Sequence, residues 1–210
     1  AQATKKGECL FLSVGGANLD EIDATANFIK AKKIELVILH CIINYPARFS
    51  ELDLNFIRTL INRYDCPIGY SDHSVGIEGS LAAIALGAKL IEKHFTIDRL
   101  LPGGDNEMSV LPVEFERLTH EGSNIAKAIG SEQKNLSIDE KKIKKLIRRE
   151  FFAKKNIAKG SMVSDDDLLL LRPSIPGLGF GAEYYSRLIG STAIEDIKKG
   201  MIVTKKCINV

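Results

Sequence analysis

Two histidines at matching places carry the chemistry that this sequence offers. Pro67-Ile-Gly-Tyr-Ser-Asp-His73 and Leu90-Ile-Glu-Lys-His-Phe-Thr96 each begin as an apolar or β-favouring run and lead to a histidine, His73 and His94, with a carboxylate close by. Such runs read as buried strands that deliver polar groups at their carboxyl ends. Residues 76–87 between them have the length of one helix, so the segment predicts a parallel βαβ unit. Its right-handed crossover sets the two strands side by side, with their carboxyl ends on the face where parallel α/β folds keep their chemistry. Two imidazoles then converge. Neutral imidazole binds first-row divalent ions, with Asp72, Glu92 and Asp105 available as further ligands or as acceptors that fix the histidine tautomers. The plainer alternative is that His73 and His94 are strand-end histidines bonded to local backbone; their pairing on successive strands favours the metal.

The elements that must position these residues follow a regular pattern. Cys9-Leu-Phe-Leu-Ser-Val14 is an apolar run that ends in Gly15-Gly16, and Asn18 with Glu21 forms a capping-box-like start to a helix reaching about Ala31. Ile34-Glu-Leu-Val-Ile-Leu-His-Cys41 is a second strand. Residues 54–64 place Leu54, Ile57, Leu60 and Ile61 on one helix face. After the two central strands come the glycine-rich Pro102-Gly-Gly-Asp105 and a last helix over residues 112–129. Four strands alternating with four helices predict a parallel sheet with helices packed outside. Within about 130 residues this is either a small doubly wound sheet or half of an eightfold barrel, since a whole barrel takes about 250. No GxGxxG follows the first strand, which disfavours a dinucleotide site.

Composition sets the outer limits. The 210 residues are 45% hydrophobic and 27% charged with a formal net charge of +2, an ordinary globular balance that does not call for nucleic acid. No apolar run approaches the roughly 18 residues of a membrane span, and residues 1–7 lack the apolar stretch of a signal peptide, so a cytoplasmic chain without a membrane partner is expected. Cys9, Cys41, Cys66 and Cys207 show no CxxC spacing and read as reduced core thiols.

Residues 131–147 are polar and basic, and they read as a solvated linker or helix face rather than an anion-binding patch, because Ile138, Asp139 and Glu140 interrupt the lysines. The tail contains a repeat. Ile157-Ala-Lys-Gly-Ser-Met-Val-Ser164 is matched 40 residues later by Ile197-Lys-Lys-Gly-Met-Ile-Val-Thr204. Each copy predicts a short strand, a Lys-Gly turn and another short strand, hence a pseudo-symmetric β-rich domain. Between the copies, Leu171-Arg-Pro-Ser-Ile-Pro-Gly-Leu-Gly179 is an irregular loop whose Arg172 is a candidate for binding a carboxylate or an amide carbonyl.

Gly69-Tyr-Ser-Asp-His-Ser74, Ile91-Glu-Lys-His-Phe-Thr96, Pro102-Gly-Gly-Asp105, Ala153-Lys-Lys-Asn-Ile-Ala-Lys-Gly160 and Leu171-Arg-Pro173 together resemble the sialic acid synthase family, which includes the N-acetylneuraminate, legionaminate and pseudaminate synthases. The resemblance covers nearly the whole chain. It implies the second half, strands 5–8, of a (β/α)8 TIM barrel over residues 1–130, a linker at 131–147 and a small β-rich SAF (antifreeze-like) domain at 148–210. It further implies condensation of phosphoenolpyruvate with an N-acyl hexosamine such as N-acetylmannosamine, giving a nine-carbon 2-keto acid and phosphate. In the family pattern His73 and His94 hold a divalent ion, Mn2+ or Mg2+, and so are the catalytic pair. Ser71 matches a phosphoenolpyruvate contact, Ser13 the serine of a Ser-Thr-Gly motif near it (here followed by Val14), Glu92 and Asp105 sugar contacts, and Tyr45 a substrate position. Arg172 matches an SAF arginine that reaches the partner's active site in a homodimer whose SAF domains cover the barrel mouths.

Two departures from the family pattern stand out. Ile42-Ile43 occupies places that are polar in some members, with Asn44 next. The first strand here corresponds to the fifth of the family barrel, so the expectation is a C-terminal fragment that binds metal weakly and does not turn over by itself. Two other classes of function are weighed against this: a non-catalytic sugar- or partner-binding SAF module, and a metal-dependent hydrolase, which leaves the tail unexplained.

Overall fold

A computed structural model describes residues 9–208. The chain divides into two compact units between Glu132 and Gln133.

The first unit alternates strands and helices: β1 (Cys9–Ser13), α1 (Leu19–Ala31), β2 (Glu35–Cys41), α2 (Phe56–Arg63), β3 (Ile68–Asp72), α3 (Glu78–Ala85), β4 (Ile91–Lys93) and α4 (Pro112–Ile129). The four strands are parallel and lie in the order in which they occur in the chain. Side chains alternate across a strand, so register assigns them to faces. Ile38 lies opposite Ile68 and His40 opposite Tyr70, and this face meets Ile22 and Ala26 of α1, Ile57 and Leu60 of α2 and Ala83 of α3 in one buried cluster. Each of the largest of these side chains contributes about 1.5–3 kcal/mol by leaving water. The other face carries Phe11, Ser13, Leu39, Cys41, Ser71 and Glu92. Gly69 lies on it too, where a Cβ would come within 2.5 Å of the Leu39 side chain and 2.6 Å of the Leu90 carbonyl, so only glycine lets Leu39 lie across the strand. Sequential strands with the core helices on one face make a parallel half-barrel sheet. A doubly wound sheet would reverse its strand order and cover both faces.

Local signals explain the helix starts. The Asn18 side chain accepts from the Glu21 amide at 3.0 Å while Glu21 accepts from the Asn18 amide at 2.8 Å, the expected capping box. At α4, Pro112 fills the first turn and Glu114 accepts from the Leu111 amide at 2.7 Å.

The second unit begins with α5 (Ile138–Ile147), a helix within the stretch expected as a linker; Ser137 and Glu140 form its capping box, which the lysine count obscures in the sequence. β5 (Glu150–Ala153) pairs antiparallel with β6 (Leu168–Leu171), and α6 (Tyr185–Leu188) follows. The repeat is a near two-fold arrangement. Ile157 and Ile197 exchange both backbone hydrogen bonds at 2.8 Å. Gly160 and Gly200 share φ +83°, and their amides donate to Ala193 and Ala153, themselves 40 residues apart. Asn156 accepts from the Lys199 amide and Asp196 from the Lys159 amide, so each copy's turn is capped by the other copy. The flanks of each turn make single bridges rather than the expected short strands: Ile157 with Ile197, Met162 with Thr192 and Ile202 with Phe152. Ile157, Val163, Ile197 and Val203 point into a shared core with Phe151, Leu188 and Ile208.

All four cysteines are free, but Cys9 is exposed rather than in the core, since β1 is the outer strand of the described sheet and Cys9 its first residue. No helix of the described residues is long and apolar enough to cross a membrane.

Candidate functional site

The ends of β3 and β4 bring the two histidines together. His73 and His94 each follow the last residue of their strand, and their ring centroids are 5.2 Å apart at 75°. Tyr45, in the loop after β2, stacks on His73 at 4.0 Å and meets His94 edge-on at 5.6 Å. That loop is held against β3 by the Ala47 amide, which donates to the His73 carbonyl at 3.0 Å, with a cis Tyr45–Pro46 bond just before it.

Hydrogen bonds define the state of His73. Its Nδ1 lies 2.7 Å from the Ile42 carbonyl, which only accepts, so Nδ1 carries the proton in the neutral ring and Nε2 keeps its lone pair. The Ser71 hydroxyl donates to Glu92 Oε1 at 2.6 Å, so its proton is committed and the 3.5 Å separation from His73 Nε2 holds no hydrogen bond in this tautomer. The Nε2 lone pair therefore remains uncommitted, next to Ser71. His94 Nδ1 is 3.7 Å from Asp105 Oδ2, a loose contact that orients Asp105 toward the ring. Partial burial and the nearby Cys41, Asp105 and Glu92 groups push the Tyr45 hydroxyl up from its ordinary value, keeping it a neutral phenol.

The structure thus gathers Tyr45, Ser71, His73, Glu92, His94 and Asp105 around one spot at the carboxyl ends of the strands. Ser13 is exposed on the same face, at the end of β1 and two strands from Ser71. Arg172 lies in the second unit, exposed directly after β6. Its loop is anchored by buried Glu150, which accepts from the Gly177 and Gly179 amides at 2.5 Å each.

Asp72 is not beside the histidines. Preceding His73 by one residue, it points to the opposite face, where it accepts from the Ser74 amide (2.8 Å), the Ser74 hydroxyl (2.6 Å) and the Ser80 hydroxyl (2.6 Å) and pairs with Lys93 at 3.1 Å. Strand alternation forbids Asp72 and the site residue Ser71 from sharing a face. Sequence reasoning missed Cys41 and the Ile42 carbonyl as parts of the site. Cys41 is the register partner of Ser71, and its sulfur lies 3.8 Å from His73 Nδ1. Burial pushes its thiol up, so it stays protonated and is no nucleophile.

Among the described residues no group of three or more His, Cys, Asp and Glu side chains is arranged to hold a metal ion. The site offers two imidazoles, with His73 Nε2 left uncommitted by the hydrogen bond at Nδ1, and neighbouring carboxylates, a donor set that suits a divalent first-row ion completed by water or substrate oxygens. A cavity of about 950 Å³ opens instead at the amino ends of the strands; there Arg63 is already paired with Asp23, which also accepts from Tyr64, so its charges do not converge on open space.

Comparison with known proteins identifies the family. Residues 1–134 match the NeuB family and residues 148–209 the SAF domain. The chain is 37% identical over 95% of its length to the N,N'-diacetyllegionaminic acid synthase of Campylobacter jejuni and 35% identical over 91% to that of Legionella pneumophila, covering 60% and 54% of those proteins. It superposes on the N-acetylneuraminic acid synthetase of Leptospira borgpetersenii with a TM-score of 0.61 and 41% identity, over 63% of this chain and 47% of that one. The chain therefore spans about half to three fifths of the length of the relatives it matches. With the NeuB match extending over more than half of its residues, the chain belongs to the sialic acid synthase (NeuB) family and carries an SAF domain after the NeuB region.

Proposed function

We propose that the chain is the strand 5–8 half-barrel and SAF portion of a nonulosonic acid synthase, which condenses phosphoenolpyruvate with an N-acyl hexosamine to a nine-carbon 2-keto acid and phosphate. The observation that carries this reading is the convergence of His73 and His94 beside the Ser71–Glu92 hydrogen bond, at the carboxyl ends of parallel strands. The relatives' names supply the reaction class.

In this reading His73 and His94 hold a divalent ion, Mn2+ or Mg2+, through ring nitrogens. When bound, such an ion supplies Lewis-acid polarisation of a carbonyl oxygen. The remaining work belongs to the chain. The Ile42 carbonyl fixes the His73 tautomer so that Nε2 faces the site. Glu92 and Asp105, with oxygens free of backbone constraint, accept from sugar hydroxyls, and the Tyr45 ring supplies a flat wall over the imidazoles. Ser71 and Ser13 on the same face serve the phosphoenolpyruvate side. Arg172 serves the site of a partner copy in a homodimer.

The test is phosphate release from phosphoenolpyruvate with Mn2+ and N-acetylmannosamine. The 210-residue chain alone, with two imidazoles at the site and two open sheet edges among its described residues, is expected to give none. Supplying the complementary half-barrel of a relative in trans is expected to give release that requires the hexosamine. Release without hexosamine would overturn the synthase reading, and hexosamine-dependent release by the chain alone would overturn the need for a complement.

A further inference from the structure

The last rung of the β3–β4 ladder is Asp72 opposite Lys93, and His73 and His94 are the residues immediately after it. Beyond that rung the two strands part. The His73 carbonyl accepts from Ala47 on one side, and the His94 carbonyl accepts from Val110 at 2.9 Å on the other. No backbone bond joins the two histidines, yet their rings meet at 5.2 Å. At the point of divergence lies the Asp72–Lys93 ion pair, at 3.1 Å with both side chains essentially inaccessible (0% and 1%).

This pair is more than a charge contact. Lys93 Nζ also donates to the Ser74 carbonyl, one residue past His73, so β4 grips the chain on both sides of that histidine. Asp72 Oδ1 takes both donors of Ser74, and Oδ2 takes Ser80 from α3. Glu78 and Glu114 also face Lys93, and Glu114 is itself paired with Arg99. An ion pair so deeply buried is costly to form and is often replaceable by apolar residues without loss of stability, so stability alone does not account for it, and its placement fits a geometric role.

We infer that Asp72 and Lys93 are positioning residues: from the helix side of the sheet they fix the spacing and orientation of His73 and His94 on the other side, and so set how well the two imidazoles engage one divalent ion. The inference rests on the metal reading above only for its last clause.

The experiment compares the 210-residue chain with the Asp72→Asn/Lys93→Met double variant, which removes both charges while keeping volume, and with Ser80→Ala, which removes one hydrogen bond to Asp72 and keeps the pair. Two readouts are taken: the through-space NMR contact between the His73 and His94 rings without metal, and Mn2+ affinity by electron paramagnetic resonance. In the double variant, folded by circular dichroism, the ring contact is expected to vanish and Mn2+ affinity to fall by about tenfold or more, as for other residues that orient metal ligands. Ser80→Ala is expected to weaken both in part. A double variant that keeps the ring contact overturns the inference. If the double variant does not fold, an unchanged ring contact in Ser80→Ala overturns it instead. Absence of Mn2+ binding by the unaltered chain would sink the metal reading alone, because the ring contact is still there to judge the positioning role.

Discussion

The two sides of the β3 and β4 ends carry similar numbers of polar groups but opposite states of satisfaction. On the helix side Asp72 and Lys93 are fully covered, and every strong partner is inside the protein. On the open side the His73 Nε2 lone pair is left without a donor, and Glu92 and Asp105 keep unfilled capacity and reach solvent. The difference separates framework from chemistry. A buried polar group must be satisfied to be tolerated, whereas a group that is to bind a ligand must be held by one atom and left free at another.

That contrast can be broken from either side. The largest effect is expected on the open side: His73→Ala or His94→Ala should abolish measurable Mn2+ binding in a paramagnetic resonance titration. On the closed side, Lys93→Met leaves the Asp72 carboxylate without its counter-charge and should cost about 3–5 kcal/mol in urea unfolding, far more than either histidine change. In the second unit Glu150→Gln replaces an acceptor by a donor facing the Gly177 and Gly179 amides, and should cost about 1–3 kcal/mol by the same measurement.

The smallest effect is expected where a pair is exposed. Hydrogen bonds from Arg63 and Tyr64 hold the Asp23 carboxyl down to about 2. A carboxyl lowered on folding stabilises above its unfolded value, near 4, and that stabilisation is lost as pH falls through about 2. The stability gap between the unaltered chain and Arg63→Gln should therefore be present at pH 6 and close on acidification between these values, followed by unfolding at a series of pH values. A gap that widens on acidification would contradict the assignment.

Much of this organisation was legible in the sequence because it rests on period and punctuation. The capping pair Asn18 and Glu21, the apolar run to Cys41 and the 40-residue repeat each left a local mark. The match of His73 to His94 was legible for the same reason. What was not legible depends on which face a residue takes and on what lies across from it. Asp72 and His73 are adjacent in sequence and opposite in space, so spacing alone did not separate a framework carboxylate from a ligand. Cys41 enters the site only through its register with Ser71, and the Ile42 carbonyl only through loop geometry. The repeat was longer than it looked: Asn156 and Asp196 differ in type yet cap equivalent turns, which a search for identical residues passes over.

The most direct measurement is a Mn2+ titration of the 210-residue chain beside His73→Ala, His94→Ala and Asp72→Asn. The expected result is one site in the unaltered chain, lost in both histidine variants and still occupied, though more weakly, in Asp72→Asn. Binding that survives both histidine changes, or that is lost with Asp72→Asn alone while the chain stays folded, would contradict the division of the strand ends into a framework side and a ligand side.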